Sequence, residues 1–213
     1  MMQQHAALFD LDGVILDTEN QYSHFWSEQG KIYFPNNPNF SDSIKGNTLT
    51  AIFRDHFTCP TQQAEVEKAL IAFEAQMEYP FIAGAMTFVD SLRKVGIPTA
   101  VVTSSNRTKM EAVYAKCPEL KHLFDRIFTA EDVTVGKPAP DCYLNAAHFF
   151  ELDIKDCVVF EDSINGLKSA SSSGAKVVGL TTTNHKEVVI PYSDYIIPDF
   201  THFSIQQLLE LFQ

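Results

Sequence analysis

Short apolar runs that end on polar or acidic residues alternate along this chain with longer stretches of helical period. Ala6-Ala7-Leu8-Phe9 stops at Asp10, Ile97 to Val102 stops at Thr103, and Cys157 to Phe160 stops at Glu161-Asp162. Lys176 to Leu180, Tyr195 to Ile197 and Arg126-Ile127-Phe128 are further runs of the same kind. Between them Phe88, Val89, Leu92 and Val95 share one helical face, as do Tyr143, Leu144, Ala147 and Phe150. Continuous β-branched strands interleaved with amphipathic helices predict an α/β fold, a parallel sheet covered by helices on both faces.

One segment breaks the rhythm. More than eighty residues separate the first run from Ile97, too many for a single crossover helix. Within them Leu49, Ile52, Phe53 and Phe57 share a helical face, and so do Val66, Leu70, Phe73 and Met77. Pro60-Thr61 reads as a stop followed by an N-cap, Asn36 to Asn39 as a turn, and Pro80 to Gly84 as a linker back. The pattern predicts a small helical insert over residues 18–81, set into a core built from 1–17 and 82–213. Ser169 to Gly174 is Ser-rich, but Leu167, Ala170 and Ala175 mark it as a packed helix end.

Composition narrows the partners. The 213 residues are 45% apolar and 20% charged, values of a globular chain with a sizeable core. Sixteen Lys and Arg against 27 Asp and Glu leave a formal charge of −11. That field repels polyanions, so neither nucleic acid nor an acidic membrane surface is expected as a partner. An anionic ligand would need a local reversal of sign, which a bound cation and a few placed lysines supply. No apolar run reaches the roughly 18–20 residues of a membrane span. MMQQH leads straight into the first run without a basic and then apolar leader, so the expected location is the cytoplasm, and the expected state a monomer. Cys59, Cys117, Cys142 and Cys157 form no CxxC and the seven histidines no HxxxH or HExxH pattern. Reduced thiols and no histidine-bound metal follow.

The candidate chemistry sits where the runs end. Asp10 and Asp12 of Phe9-Asp10-Leu11-Asp12-Gly13-Val14 are two carboxylates at the carboxyl end of a buried strand. Like charges there raise each other's pKa and desolvation adds to it, a cost that a divalent cation offsets. Residues i and i+2 of an extended chain point the same way, and Gly13 allows a tight exit turn. A preceding strand instead of a helix excludes a calcium loop of the EF-hand kind. Thr103-Ser104-Ser105-Asn106 brings hydroxyls and backbone N–H groups to a helix start capped by Ser105, a place for phosphate oxygens. Gly136-Lys137-Pro138 holds a lysine in a rigid frame, and Glu161-Asp162 ends another buried strand. Asp10, Thr103 and Asp162 thus come to the carboxyl ends of strands, where open α/β sheets bind ligands.

The ordered set DxDGV, TSS, GKPAPD and FEDS resembles the haloacid dehalogenase superfamily of phosphatases and phosphomutases, over essentially the whole chain. The resemblance implies a Rossmann-like core with a helical cap after the first strand, as in β-phosphoglucomutase and its sugar-phosphatase relatives. It implies Asp10 as nucleophile and Asp12 as general acid/base, with Thr103, Ser104 and Lys137 binding the transferring phosphoryl group. It also implies Mg²⁺ held by Asp162, the Asp10 carboxylate and the Asp12 backbone carbonyl, with Glu161 as direct or water-mediated support. The second aspartate favours phosphoryl transfer over dehalogenation.

Asp17-Thr18, Trp26 and Ile44-Lys45-Gly46 match cap positions of the mutase-like subgroup, which makes Thr18, Trp26 and Lys45 candidate substrate contacts. Two departures point away from a mutase. Tyr22 stands where the mutase has histidine, and Leu49 where it has arginine. A mutase must retain an anionic bisphosphate and keep water from the aspartyl-phosphate, and both losses weaken it. The expected activity is hydrolysis of a small phosphorylated metabolite, a sugar or polyol phosphate, with a phosphosugar mutase as the alternative. The cap is expected to hinge near Asp17-Thr18 and Tyr79 to Gly84.

Overall fold

A computed structural model describes residues 5–213; the leader reading on residues 1–4 lies outside them. Strand β1 (Ala6–Phe9) is followed by four helices, α1 (Glu19–Tyr33), α2 (Phe40–Ser43), α3 (Leu49–His56) and α4 (Pro60–Glu74). The chain then runs through α5 (Ala85–Lys94), β2 (Thr99–Val102), α6 (Arg107–Lys116), α7 (Leu120–Leu123), β3 (Arg126–Phe128) and α8 (Asp141–Phe149). It closes with β4 (Cys157–Glu161), α9 (Ile164–Ser173), β5 (Lys176–Leu180), α10 (Lys186–Val189), β6 (Tyr195–Ile197) and α11 (Ile205–Glu210). The six strands form one parallel sheet in the order β3-β2-β1-β4-β5-β6.

Alternation along the strands fills two layers. Ala7, Phe9, Val101, Val158, Phe160 and Val178 face one side with Phe88, Leu92 and Met110 of α5 and α6. Ala6, Leu8, Ala100, Cys157, Val159 and Val177 face the other with Tyr143 and Leu167 of α8 and α9. Phe9 stacks on Phe160 with ring centroids 4.5 Å apart, pinning β1 to β4 just below Asp10. Each such fully buried side chain contributes about 1.5–3 kcal/mol, so the sheet is a stiff platform for whatever its edge presents.

Helices α1–α4 carry an apolar cluster of their own, built on Phe25, Trp26, Phe40, Ile44, Ile52, Phe57, Val66 and Leu70. The two connections to the sheet lie side by side. Leu16 bridges Phe81, and the Asp17 N–H donates to Pro80 O at 2.8 Å.

Several local expectations are corrected. Val95 is 58% and Leu144 41% exposed, because each lies at the solvent flank of its helix; Phe88, Leu92, Tyr143 and Ala147 carry the packing. Strand β2 starts at Thr99, since Pro98 offers no N–H to the ladder. Pro60 takes the first position of α4 and makes Cys59, not Thr61, the N-cap residue. Asn106, not Ser105, caps α6, its side chain accepting from the Lys109 N–H; the Ser105 hydroxyl is used elsewhere. All four cysteines are free thiols, three buried and Cys59 exposed.

Candidate active site

Strand register sets the site. Phe9 pairs with Phe160 on one side and Val101 on the other, so Asp10 leaves the sheet level with Glu161 and Val102. The Asp10 N–H still donates to Phe160 O at 3.0 Å, which fixes its backbone. The chain then turns sharply: the Ile15 and Leu16 N–H groups both return to Leu11 O at 2.9 and 2.8 Å. Gly13 makes that turn with φ of 78°, and a Cβ there would overlap the Asp162 carboxylate. Glycine is required on both counts.

Lys137 reaches this point from the loop before α8 with its side chain only 3% exposed. Its Nζ donates to Asp10 Oδ1 at 2.6 Å, to Glu161 Oε1 at 2.6 Å and to Val102 O at 3.0 Å, using all three protons. Burial alone would favour neutral lysine, but Asp10 and Glu161 outweigh it and hold Lys137 charged. Glu161 is engaged on both oxygens. Oε1 also accepts from Tyr143 OH at 2.8 Å, while Oε2 accepts from the Asp162 and Ser163 N–H groups at 3.0 and 3.2 Å. Gly166 leaves room for it, since a Cβ there would occupy the same space. Glu161 therefore orients Lys137 and the β4–α9 turn.

Asp12 faces a different set of groups. Thr18 Oγ1 donates to Oδ1 at 2.5 Å, while Ser105 Oγ and Lys109 Nζ donate to Oδ2 at 3.1 and 2.5 Å. Burial pushes the Asp12 carboxyl up, but the Lys109 charge and these hydrogen bonds outweigh it and hold the group below its ordinary value. Thr18, at the start of α1, is fully buried and spends its hydroxyl on Asp12 instead of on its own helix. Asp10 behaves oppositely. Burial, opposed by Lys137 but reinforced by Glu161 and Asp12, raises it to about 7.

Thr103 follows β2 and Ser104 follows it. Thr103 Oγ1 lies 3.0 Å from Ser105 Oγ, and Ser104 Oγ donates to Gly46 O at 3.1 Å, tying the sheet edge to the inserted helices. Asn165 completes the tie through Lys45 O and Asn47 Oδ1 at 3.0 and 2.9 Å. Beneath this contact lies a cavity of ≈ 120 Å³. Asp10, Asp12, Thr103, Ser104 and Lys137 form its floor, and Trp26, Lys45, Tyr22 and Leu49 face it from the helices. Trp26 divides its surface between cavity and core, and Lys45 is paired with Asp42 at 3.0 Å. Thr18, Glu161 and Asp162 do not line the cavity; Thr18 holds Asp12 and Glu161 holds Lys137, which do.

The carboxylates of Asp10, Glu161 and Asp162 each offer an oxygen within 4.8 Å of the others, all buried. Asp162 Oδ2 is bonded by Thr183 Oγ1, but Oδ1 is a buried oxygen with no hydrogen-bond partner. Burial first, then Glu19, Glu161 and Asp10, push Asp162 well above the usual carboxylate range. An orphaned, hard oxygen donor beside two more carboxylates suits a small divalent cation such as Mg²⁺. The Asp12 carboxylate lies outside this group, on Lys109, which leaves only its backbone carbonyl for the metal role expected of it.

A pH signature follows. Below about pH 7 a proton on Asp10 competes with a cation; its folded pKa of about 7 exceeds the ordinary 3.8, so ionising it in the folded state costs stability as pH rises. The gain in Tm on adding Mg²⁺ is therefore expected to be small near pH 5 and to grow through pH 7. Thermal scans with Mg²⁺ and with chelator across that range check it; a gain that does not change with pH would contradict it.

Sequence reasoning did not find Lys109, Tyr143, Thr183 or Glu19. Lys109 had a signal: a lysine in the first turn of a helix opposes the helix dipole and calls for an anion nearby.

A family model for haloacid dehalogenase-like hydrolases matches residues 5–174. A validoxylamine A 7'-phosphate phosphatase of Streptomyces hygroscopicus subsp. limoneus is 29% identical over 202 residues, covering 92% of this chain and 94% of the relative. A probable pseudouridine-5'-phosphatase of Saccharomyces cerevisiae is 30% identical over 190 residues, covering 81% and 80%. The crystal structure of an Entamoeba histolytica HAD hydrolase superposes with a TM-score of 0.82 at 24% identity, covering 98% of this chain and 99% of that one; it supports the fold.

Proposed function

The chain belongs to the haloacid dehalogenase-like hydrolases, and from that premise we propose a Mg²⁺-dependent phosphatase acting on a small sugar or polyol phosphate. The observation that carries this reading is the buried trio Asp10, Glu161 and Asp162 with Lys137 2.6 Å from Asp10, at a cavity floor. The phosphatases among its relatives support the substrate class.

In this reading an Asp10 carboxylate oxygen attacks phosphorus in line; the acyl-phosphate bond forms as the ester P–O bond breaks. Lys137, Thr103 and Ser104 hold the phosphoryl oxygens in position. Asp12, held ionised at rest by Lys109, must take up a proton as the phosphate ester binds and gives it to the leaving alkoxide. It then takes one from the water that attacks phosphorus, releasing phosphate and restoring Asp10. Asp10, Asp162 and the Asp12 backbone carbonyl would hold Mg²⁺, with Glu161 in support. When bound, the ion neutralises the negative charge gathered on Asp10 and the phosphoryl group. Residues 18–81 act as a cap that excludes bulk water from the site.

The cavity wall argues for hydrolysis over isomerisation. Among the described residues lining it the lysines are Lys45, Lys109 and Lys137, each already paired with an acid, and Leu49 and Tyr22 face inward. Nothing there offers a free cation to a second phosphate.

A panel of phosphate esters assayed for phosphate release with Mg²⁺ and with chelator tests the reading. Release is expected to be strongest on sugar or polyol phosphates and to be lost with chelator. In a parallel arm, β-glucose 1-phosphate plus a bisphosphate activator should yield free phosphate; conversion to the 6-phosphate without release would overturn the reading.

A further inference from the structure

We propose that Lys109 is a positioning residue for Asp12, seated by a ring that the inserted helices supply. Resting on the phosphatase reading, the inference goes beyond it by giving α6 a part in the acid/base machinery.

Lys109 is kept against two electrostatic costs. It is 93% removed from solvent by its 7% exposure, and it stands in the first turn of α6, where the helix dipole disfavours a cation. Its Nζ meets Asp12 Oδ2 at 2.5 Å, and the same nitrogen lies 4.2 Å above the centre of the Tyr22 ring on α1. Tyr22 is itself fixed, its OH donating to Glu74 Oε1 at 3.0 Å and its ring set edge-on to Phe73. The chain Asp12–Lys109–Tyr22–Glu74 thus runs from the sheet edge through α6 to α1 and α4.

Asp12 has one rotamer to hold if its carboxyl is to reach both the leaving oxygen and the attacking water. Thr18 holds Oδ1 and Ser105 and Lys109 hold Oδ2, and of these three donors only Lys109 carries charge. A lysine so placed cannot swing freely, because the ring occupies the space beside it. The geometry explains why Tyr22 lines the cavity without offering it a free hydroxyl.

Leaving-group dependence separates this role from others. A p-nitrophenolate ion departs without a proton, whereas an alkoxide needs one, so misplacing Asp12 slows the first phosphoryl transfer, which kcat/KM reports, only for the second; hydrolysis of the shared aspartyl-phosphate slows for both and shows in kcat. For Lys109→Met, kcat/KM on a simple alkyl phosphate is expected to fall about 10²-fold, and on p-nitrophenyl phosphate less than about 5-fold. Tyr22→Leu keeps the lysine but removes its seat; it should show the same selective loss at smaller size, and it carries the test if Lys109→Met does not fold. Equal losses on both esters would mean a structural role and overturn the proposal. So would a rise in KM alone, which would make Lys109 a substrate-binding cation. Failure of the phosphatase reading looks different: the unmodified protein would then release phosphate from neither ester.

Discussion

Asp10→Asn is expected to lower phosphate release by about 10⁴-fold or more while the protein stays folded. The amide keeps the shape of the carboxyl and its place at the end of β1, where the backbone is held by Phe160 O and the side chain contacts Lys137. What it loses is nucleophilicity and charge. Because burial and neighbouring acids already make the ionised form of Asp10 costly, the variant without Mg²⁺ should melt no lower than the parent at pH 7. Its gain in Tm on adding Mg²⁺ should shrink, since one carboxylate of the trio is gone. Turnover within about tenfold of the parent would contradict the role given to Asp10.

Lys137→Met is the second large effect, and it joins stability to function. Lys137 is the cation between Asp10 and Glu161, 2.6 Å from each, with its side chain 3% exposed. Removing it strands two buried carboxylates beside Asp162, a loss of about 3–5 kcal/mol. For a chain of this length that is a fall in Tm of about 6–20 °C. The fall should be largest near pH 8 without Mg²⁺ and smaller near pH 5, where Asp10, with its raised pKa of about 7, carries a proton and needs no counter-charge. Phosphate release should fall too, because the proposed mechanism relies on the same ammonium, beside Asp10 at the cavity, to offset the charge of the phosphoryl group. A loss under about 1 kcal/mol at both pH values would show that the ion triad does not matter to the fold.

The central strands β1, β2 and β4 were legible because they are buried on both faces, so their apolar runs are unbroken and each end is marked by its first polar residue. That is why the sequence alone places Asp10, Thr103 and Asp162 at one edge of the sheet. Val95 and Leu144 were misread because an apolar residue beside a helical face looks like a member of it, and exposure of single apolar side chains carries little penalty. Glu161 was read as metal support. Its main work, clamping Lys137 while accepting from Tyr143 and two backbone N–H groups, depends on contacts from α8 and the β4–α9 turn that no local pattern announces. Lys109 and Thr183 reach the site from 97 residues beyond Asp12 and 21 beyond Asp162, distances only the folded sheet brings together. Tyr22 and Leu49 were singled out in the sequence as departures, and their place on the cavity wall gives those departures a physical meaning.

The most direct test is to catch the phosphoryl group on the protein. A single turnover with a phosphate ester and Mg²⁺, quenched rapidly in acid and reduced with borohydride, converts an aspartyl-phosphate to homoserine. Peptide mass spectrometry is expected to find homoserine at position 10 and nowhere else, and none when substrate is omitted. Phosphate released in the same quench while Asp10 stays unreduced, or the mark appearing at another carboxylate, would contradict the account.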